Sequence, residues 1–284
     1  DFFNTKLYFK YEFLQKSGSF KLRGAINNIL SLNKKQLKNG ITAVSAGNHA
    51  IASSYVANLF NLKNKIFLYE TSNKFRVQTC KKLNANIEFT NVENAFKNVI
   101  KAEKEGYTFI HPFDGPCTLQ GTATLGFEIY KQFNDFDNII ISIGGGGLIS
   151  GVGACIKQLN PKCKIIGVEP EGAKGMTESL MKGSPLNKVK VNSIADSLCA
   201  PLHMDYSFSV AKNVIDEIVT VDDEQMIQAM KFAYENFKLF LEPACVCGIA
   251  ALNNKFNGKF KNQNTLMLLC GSSIDYKTWQ KYFI

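Results

Sequence analysis

The sequence predicts an α/β fold of two lobes, each an open, mostly parallel twisted sheet flanked by helices. Three observations carry that reading. Short β-branched runs alternate with helix-period segments along the 284 residues, the pattern of repeated strand-helix units joined by right-handed crossovers. The strand-like runs are apolar throughout rather than alternating, as in parallel sheets covered on both faces. The turn-rich stretch His111-Pro-Phe-Asp-Gly-Pro116 closes a compact lobe of about residues 40–115. A cleft between that lobe and the rest is where a ligand is expected.

Taken in order, apolar residues at helical spacing predict a helix over 20–37, and the small apolar run at 41–44 predicts a strand. A helix follows over 48–60, then a strand at Lys65-Ile-Phe-Leu-Tyr69, a helix over 74–84, a strand at Ile87-Glu-Phe-Thr90 and a helix over 92–104. After the turn-rich stretch come a helix over 119–132, a strand at Asn138-Ile-Ile-Ile-Ser-Ile143, a helix over 148–158 and a strand at Lys164-Ile-Ile-Gly-Val168. Helices over 223–238 and 244–256 and a strand at Thr265-Leu-Met-Leu-Leu-Cys270 complete the set. Periodicity alone does not say whether residues 1–38 rejoin the later lobe.

Composition narrows the class. Apolar residues at 45% and charged residues at 20% are those of an ordinary globular protein. No apolar run approaches the ~18 residues of a membrane span, and the first residues lack the pattern of a signal peptide. The formal charge of +9 comes from scattered lysines, not from the clustered patch that a nucleic-acid partner requires. It would steer an anionic ligand instead. The eight cysteines form no CxxC pair and the three histidines lie far apart, so the cysteines read as free thiols of a reducing compartment and no metal site is expected.

Three segments carry chemistry. Gly144-Gly-Gly-Gly147 follows one strand and precedes Leu148 at a helix start. Consecutive glycines let backbone N–H groups converge, and the helix N-terminus adds positive character, so the loop suits a phosphate; alone, it could equally be a tight turn. Lys21, in Ser17-Gly-Ser-Phe-Lys-Leu-Arg-Gly-Ala25, sits in the first turn of a helix beside Phe20. Both the helix end and the apolar neighbour lower an ammonium pKa, as a Schiff-base lysine requires; from this segment alone a surface lysine is the simpler reading. Ser45-Ala-Gly-Asn-His-Ala50 is a small-residue loop offering backbone donors, a hydroxyl and an amide to a carboxylate.

Together with His111-Pro-Phe-Asp114, Ile194-Ala-Asp196, Glu242-Pro243 and Leu269-Cys-Gly-Ser272, these segments resemble the fold-type II (tryptophan-synthase-β-like) pyridoxal-phosphate enzymes, specifically the threonine/serine dehydratases and serine racemases. The resemblance covers nearly the whole chain and implies pyridoxal 5'-phosphate as cofactor. It implies a large cofactor-binding domain of 1–39 and 116–284 and a small mobile substrate-loop domain of 40–115. Lys21 matches the lysine that holds the cofactor and moves the substrate Cα proton, and Phe20 the aromatic beside the ring. Ser45, Ala46, Gly47, Asn48 and His49 match the substrate-carboxylate loop, with Asn48 reaching the ring hydroxyl. Gly144, Gly145, Gly146, Gly147 and Leu148 match the phosphate cradle, Glu242 an acidic residue near substrate and ring, and Cys270 the Ser or Cys facing the pyridine nitrogen.

The family resemblance also ranks the reactions. Serine racemases carry a second serine in the carboxylate loop as the acid/base opposite the lysine; here that position is Ala46, which has no proton to give. Their metal site has a second carboxylate where this chain has Gly175 beside the retained Glu169. The expected activity is therefore elimination of water from L-threonine or L-serine to a 2-oxo acid and ammonia, ahead of serine racemisation, hydroxyaspartate dehydration or a ligand-binding relic. Lys21-Leu-Arg23 and the Asn-His loop depart from cysteine synthases, which carry Lys-Asp-Arg and Ser-Gly-Asn-Thr. Departures from the dehydratases are Ile51 in place of Gln, a shorter stretch at 111–121, Cys245-Val-Cys247 after Glu-Pro and Ser272-Ser273 in place of Gly-Asn. The chain begins without the family's N-terminal helix and ends at Ile284, so isoleucine feedback through a regulatory domain is not expected. A cytoplasmic symmetric dimer or dimer of dimers, or an organellar protein if the N-terminus is trimmed, completes the expectation.

Overall fold

The computed structural model describes residues 3, 5–256 and 258–284. The chain opens with β1 (Lys6–Tyr11), α1 (Lys21–Leu30) and α2 (Lys34–Asn39). A first run of crossovers follows: β2 (Ile41–Ser45), α3 (Asn48–Leu59), β3 (Asn64–Tyr69), α4 (Lys74–Lys82), β4 (Ile87–Thr90), α5 (Val92–Lys104) and β5 (Thr108–Phe109). A second run comprises α6 (Pro116–Gln132), β6 (Asn138–Ser142), α7 (Gly147–Leu159), β7 (Lys164–Pro170), α8 (Gly175–Lys182), α9 (Asp205–Val214) and β8 (Glu217–Val221). The chain closes with α10 (Asp223–Phe237), α11 (Pro243–Asn254), β9 (Asn264–Leu269) and α12 (Tyr276–Gln280).

The strands form two sheets, a five-stranded one ordered β1-β9-β6-β7-β8 and a four-stranded one ordered β4-β3-β2-β5. Every pairing within them is parallel, as the uniformly apolar runs Ile139–Ile141 and Ile66–Leu68 require when both faces are covered. Residues 6–11 join the later sheet by pairing with β9. The carboxyl ends of β2, β6 and β9 lead into the Ser45 loop, the glycine loop and Cys270, so the three segments meet where open α/β sheets bind ligands.

The main core packs Ile139, Ile140 and Ile141 of β6 with Ile165 and Ile166 of β7, Ile149 and Val152 of α7, and α11. All ten residues from Pro243 to Leu252 are buried, so α11 is a central helix apolar on every side.

Two differences from the sequence expectation have local causes. The helix expected over 20–37 is two helices, because Asn33 takes the Gln36 N–H at 2.9 Å and Gln36 reaches back to the Asn33 N–H, also at 2.9 Å. This reciprocal cap starts a new helix and ends the old one. The strands β1, β5 and β8 and the helices α8, α9 and α12 were not expected. β1 and β8 are sheet edges whose residues are mostly half-buried or exposed, so they lack the continuous apolar signal of the central strands.

Close helix packing sets one constraint. A Cβ at Gly151 on α7 would collide with Thr122 Oγ1 and the Leu119 carbonyl of α6. In an open helix Gly→Ala stabilises by about 0.4–1 kcal/mol; here overpacking opposes it by about 1–3 kcal/mol and wins. Gly151→Ala is expected to lower the urea midpoint, and an unchanged or raised midpoint would contradict the contact.

Candidate active site

The site is built from the turn at His111-Pro-Phe-Asp114 outward. His111 Nδ1 accepts the backbone N–H groups of Phe113 (3.2 Å) and Asp114 (2.9 Å), which folds the turn and leaves Nε2 as the protonated ring nitrogen. That Nε2 is buried without a partner. Burial, outweighing the nearby Asp114 and aided by Lys21, lowers His111 to about 4. The turn points the Pro112 carbonyl at Lys21, whose Nζ donates to it at 2.5 Å. Asp114 accepts the Ser207 N–H at 2.7 Å.

Phe113 lies against the glycine loop. A Cβ on Gly145 would overlap its ring and one on Gly147 its main chain, while Gly146 has φ +91°; these positions require glycine. The loop's carbonyls are taken by protein donors. Ser207 Oγ donates to Gly145 O at 3.4 Å, Ser150 N to Gly146 O at 3.0 Å and Thr122 Oγ1 to Gly147 O at 2.9 Å. Among the described residues, no N–H from Gly144 to Leu148 has a protein acceptor. With the uncapped start of the 13-residue α7, these donors make a cradle suited to a phosphate.

The cradle opens into a cavity that Phe20, Lys21, Asn48, Glu242 and Cys270 also line. Lys21 is the first residue of α1 and lies over the Phe20 ring, 5.0 Å from its centroid. Burial of the ammonium, partly offset by Cys270, lowers its pKa to about 8. Cys270 lies at the end of β9, its thiol 3.8 Å from the Ala244 carbonyl, which accepts from it. Asn48 donates its amide N–H groups to Glu242 Oε1 (2.7 Å) and Ser197 Oγ (3.2 Å). Its Oδ1 is buried with no partner among the described residues, an acceptor suited to a hydroxyl or N–H. A free phosphate cradle, an amine of lowered pKa and an orphaned acceptor around one cavity fit a phosphorylated, aldehyde-bearing cofactor such as pyridoxal phosphate.

A second pocket adjoins the first, sharing Lys21, Asn48, Phe113, Gly145 and Ser197. Ser45, Ala46, Gly47 and His49 line it. Ser45 Oγ accepts the Gly47 N–H at 3.0 Å, so its own O–H is free to donate. The N–H groups of Asn48 and His49 at the start of α3 have no protein acceptor among the described residues. His49 Nε2 is 2.7 Å from the Ile110 carbonyl; burial, reinforced by Lys21, lowers it to about 3, so the ring stays neutral and anchors the loop.

The structure thus brings every expected site residue to one of two joined pockets. Sequence reasoning missed Arg76 of α4. Its guanidinium donates from Nη1 to Asp196 Oδ2 (2.5 Å), from Nη2 to Asp196 Oδ1 (3.0 Å), Ser197 Oγ (3.3 Å) and Glu242 Oε2 (3.4 Å), and from Nε to Ser273 O (2.8 Å). The signal was rarity: the chain has only two arginines, Arg23 and Arg76. Glu169, where the racemase pattern has a metal site, accepts instead from Met176 N, Thr177 N and Thr177 Oγ1 at 2.7, 2.9 and 2.7 Å. A side chain at Gly175 would press on Val189 and His203.

The lowered pKa of Lys21 gives a direct prediction. In the cofactor-free protein its amine should become reactive toward an acylating reagent as pH rises through about 8. A lysine side chain in a model peptide titrates at ~10.4. Peptide mapping of labelled protein across pH measures this; a Lys21 midpoint at the ordinary lysine value would contradict the enclosed geometry.

Comparison with known proteins identifies the family and, with it, the cofactor. The family model described as pyridoxal-phosphate dependent enzyme matches residues 1–271. The chain is 40% identical over 280 residues to phenylserine dehydratase of Ralstonia pickettii, covering 98% of this chain and 86% of that one. It is 34% identical over 273 residues to L-threonine ammonia-lyase of Thermotoga maritima, covering 95% and 68%. The fold superposes on maize serine racemase with a TM-score of 0.91 at 32% identity, covering 99% of this chain and 88% of that one. The chain belongs to the pyridoxal-phosphate-dependent enzyme family, in its dehydratase and racemase branch.

Proposed function

We propose that the protein removes water from an L-β-hydroxy amino acid, giving the 2-oxo acid and ammonia, with Lys21 as the sole acid/base at Cα. Ala46 is the observation that carries this reading. It lines the substrate pocket with Lys21 and presents a methyl group. Reprotonation at Cα from a second residue, which racemisation needs, has no donor at that position.

Lys21 would hold the cofactor covalently, the N–H groups of Gly144 to Leu148 its phosphate, and Asn48 Oδ1 a hydroxyl on its ring. Bound there, pyridoxal phosphate supplies an electron sink that acidifies the substrate Cα–H. Ser45 Oγ–H and the first N–H groups of α3 bind the substrate carboxylate and orient Cα toward Lys21. Lys21, once released, takes the Cα proton at Nζ, and its lowered pKa keeps the amine available as a base near neutral pH. The Cβ–O bond breaks and the hydroxide leaves as water, taking up the equivalent of the proton removed from Cα. Water then adds to the C=N bond of the released imine and expels ammonia, so the net products are 2-oxo acid and ammonia. Cys270, which also lines the cavity, offers a thiol, not a carboxylate; it would give the ring nitrogen of a bound cofactor no counter-charge, which favours prompt elimination.

Threonine, serine and phenylserine are the substrates to compare. The aryl reading is favoured by Tyr69, Pro112, Phe113 and Pro201, which line the outer pocket. One methylene discriminates by only about 1–3 kcal/mol, so activity on more than one of them is expected.

A 2-oxo acid assay across the three substrates tests the reading. Lys21→Ala should lower kcat by at least ~10²-fold with all of them; surviving activity would undo the assignment. Ala46→Ser restores a hydroxyl beside Cα and should yield measurable D-isomer from L-serine, where the parent yields none. Equal D-isomer from parent and variant would remove Ala46 as the determinant.

A further inference from the structure

Of 33 lysine and arginine residues only Arg23 and Arg76 are arginines, and both make forked contacts. Arg23 grips Glu12 through Nε and Nη2 at 2.7 and 2.8 Å and reaches Glu128 at 3.0 Å. Arg76 grips Asp196 through both terminal nitrogens. A lysine ammonium is a compact point charge and cannot span two oxygens of a carboxylate in this way. In a chain that otherwise uses lysine, arginine stands where the fork is needed.

Arg76 is 3% exposed and belongs to α4, which packs with the four-stranded sheet. Its polar partners lie in segments around the five-stranded sheet: Asp196 and Ser197 between β7 and β8, Glu242 at the start of α11 and Ser273 just after β9. Its side chain also backs the carboxylate loop, since a Cβ on Gly47 would overlap Arg76 Cδ.

Glu242 receives donors only: Asn48 Nδ2 and Arg76 Nη2, and the Ser273 N–H at 2.9 Å. Held as an acceptor, it makes Asn48 present its NH2 and leaves Asn48 Oδ1 facing the cavity. The two ends of the fork differ in strength. The Asp196 side chain is 51% exposed and its pairing is screened by water, whereas Glu242 at 1% is dry and stands to lose most without a counter-charge.

We propose that, on the function argued above, Arg76 is a positioning residue: its fork holds the 40–115 lobe against the other lobe and fixes Glu242, and through it Asn48, beside the cavity. Without Arg76 the buried Glu242 carboxyl is stable only when protonated; it then competes as a donor and frees the Asn48 amide to turn.

The test uses cofactor-loaded protein, with visible absorbance confirming loading, and compares Arg76→Met, Arg76→Lys and Asp196→Asn. Amide exchange at 45–50 and 271–275, which include the Ser273 N–H, should quicken by about tenfold or more in Arg76→Met. The amino-acid KM should rise, and kcat/KM should fall by roughly a hundredfold or more. Arg76→Lys should recover less than about a tenth of the loss, because charge without the fork does not suffice. Parent-like exchange and KM in Arg76→Met, or full rescue by Arg76→Lys, would overturn the proposal. If Arg76→Met does not fold, Arg76→Lys decides: faster exchange there supports the clamp and parent-like exchange overturns it, with Asp196→Asn, at the screened end of the fork, expected to change exchange less than Arg76→Lys. Failure of the parent to make any 2-oxo acid would strike the function alone, since the exchange arm reads the clamp independently.

Discussion

The site depends on one close approach, that of Phe113 to the glycine loop. The ring lies over Gly145 and the main chain over Gly147, at distances that admit no side chain. That contact sets everything adjacent. Pro112, one residue back, offers its carbonyl to Lys21; Asp114, one residue on, holds Ser207, whose hydroxyl in turn donates to the Gly145 carbonyl. His111 locks the turn by accepting two N–H groups. A four-residue turn thus places the amine, shapes the anion cradle and closes the floor of the cavity.

The polarity of the site follows from what the protein satisfies and what it leaves open. Carbonyls of the glycine loop are occupied by hydroxyls and helix N–H groups, while its N–H groups remain free. Buried donors without protein acceptors cost free energy unless a ligand supplies them, so the loop is suited to an anion. Basic groups are treated in the opposite way. Lys21, His49 and His111 crowd one enclosed region, and burial lowers all three. Two remain neutral and structural; the third titrates close enough to neutrality to act as a base.

Most of this was legible where chemistry is local in sequence. Lys21 beside Phe20, the glycine run after an apolar strand and the Ser45-to-His49 loop each carry their own signal. The central strands were legible because burial on both faces makes them continuously apolar. The edge strands β1 and β8 were not, since their half-buried faces break that signal, and the helix expected over 20–37 hid the cap at Asn33. Arg76 was illegible for a different reason. Its partners lie 120 or more residues away, and apart from the rarity of arginine in this chain nothing in Lys74-Phe-Arg76 points to them.

The central claim is that Lys21 alone handles the Cα proton. Turnover of L-threonine or L-phenylserine in heavy water, stopped part-way, tests it most directly through the configuration and deuterium content of the remaining substrate. Recovered substrate is expected to be wholly L, with any Cα deuterium introduced with retention, while 2-oxo acid accumulates. Recovery of D-isomer carrying Cα deuterium would show a second acid on the opposite face and would contradict it.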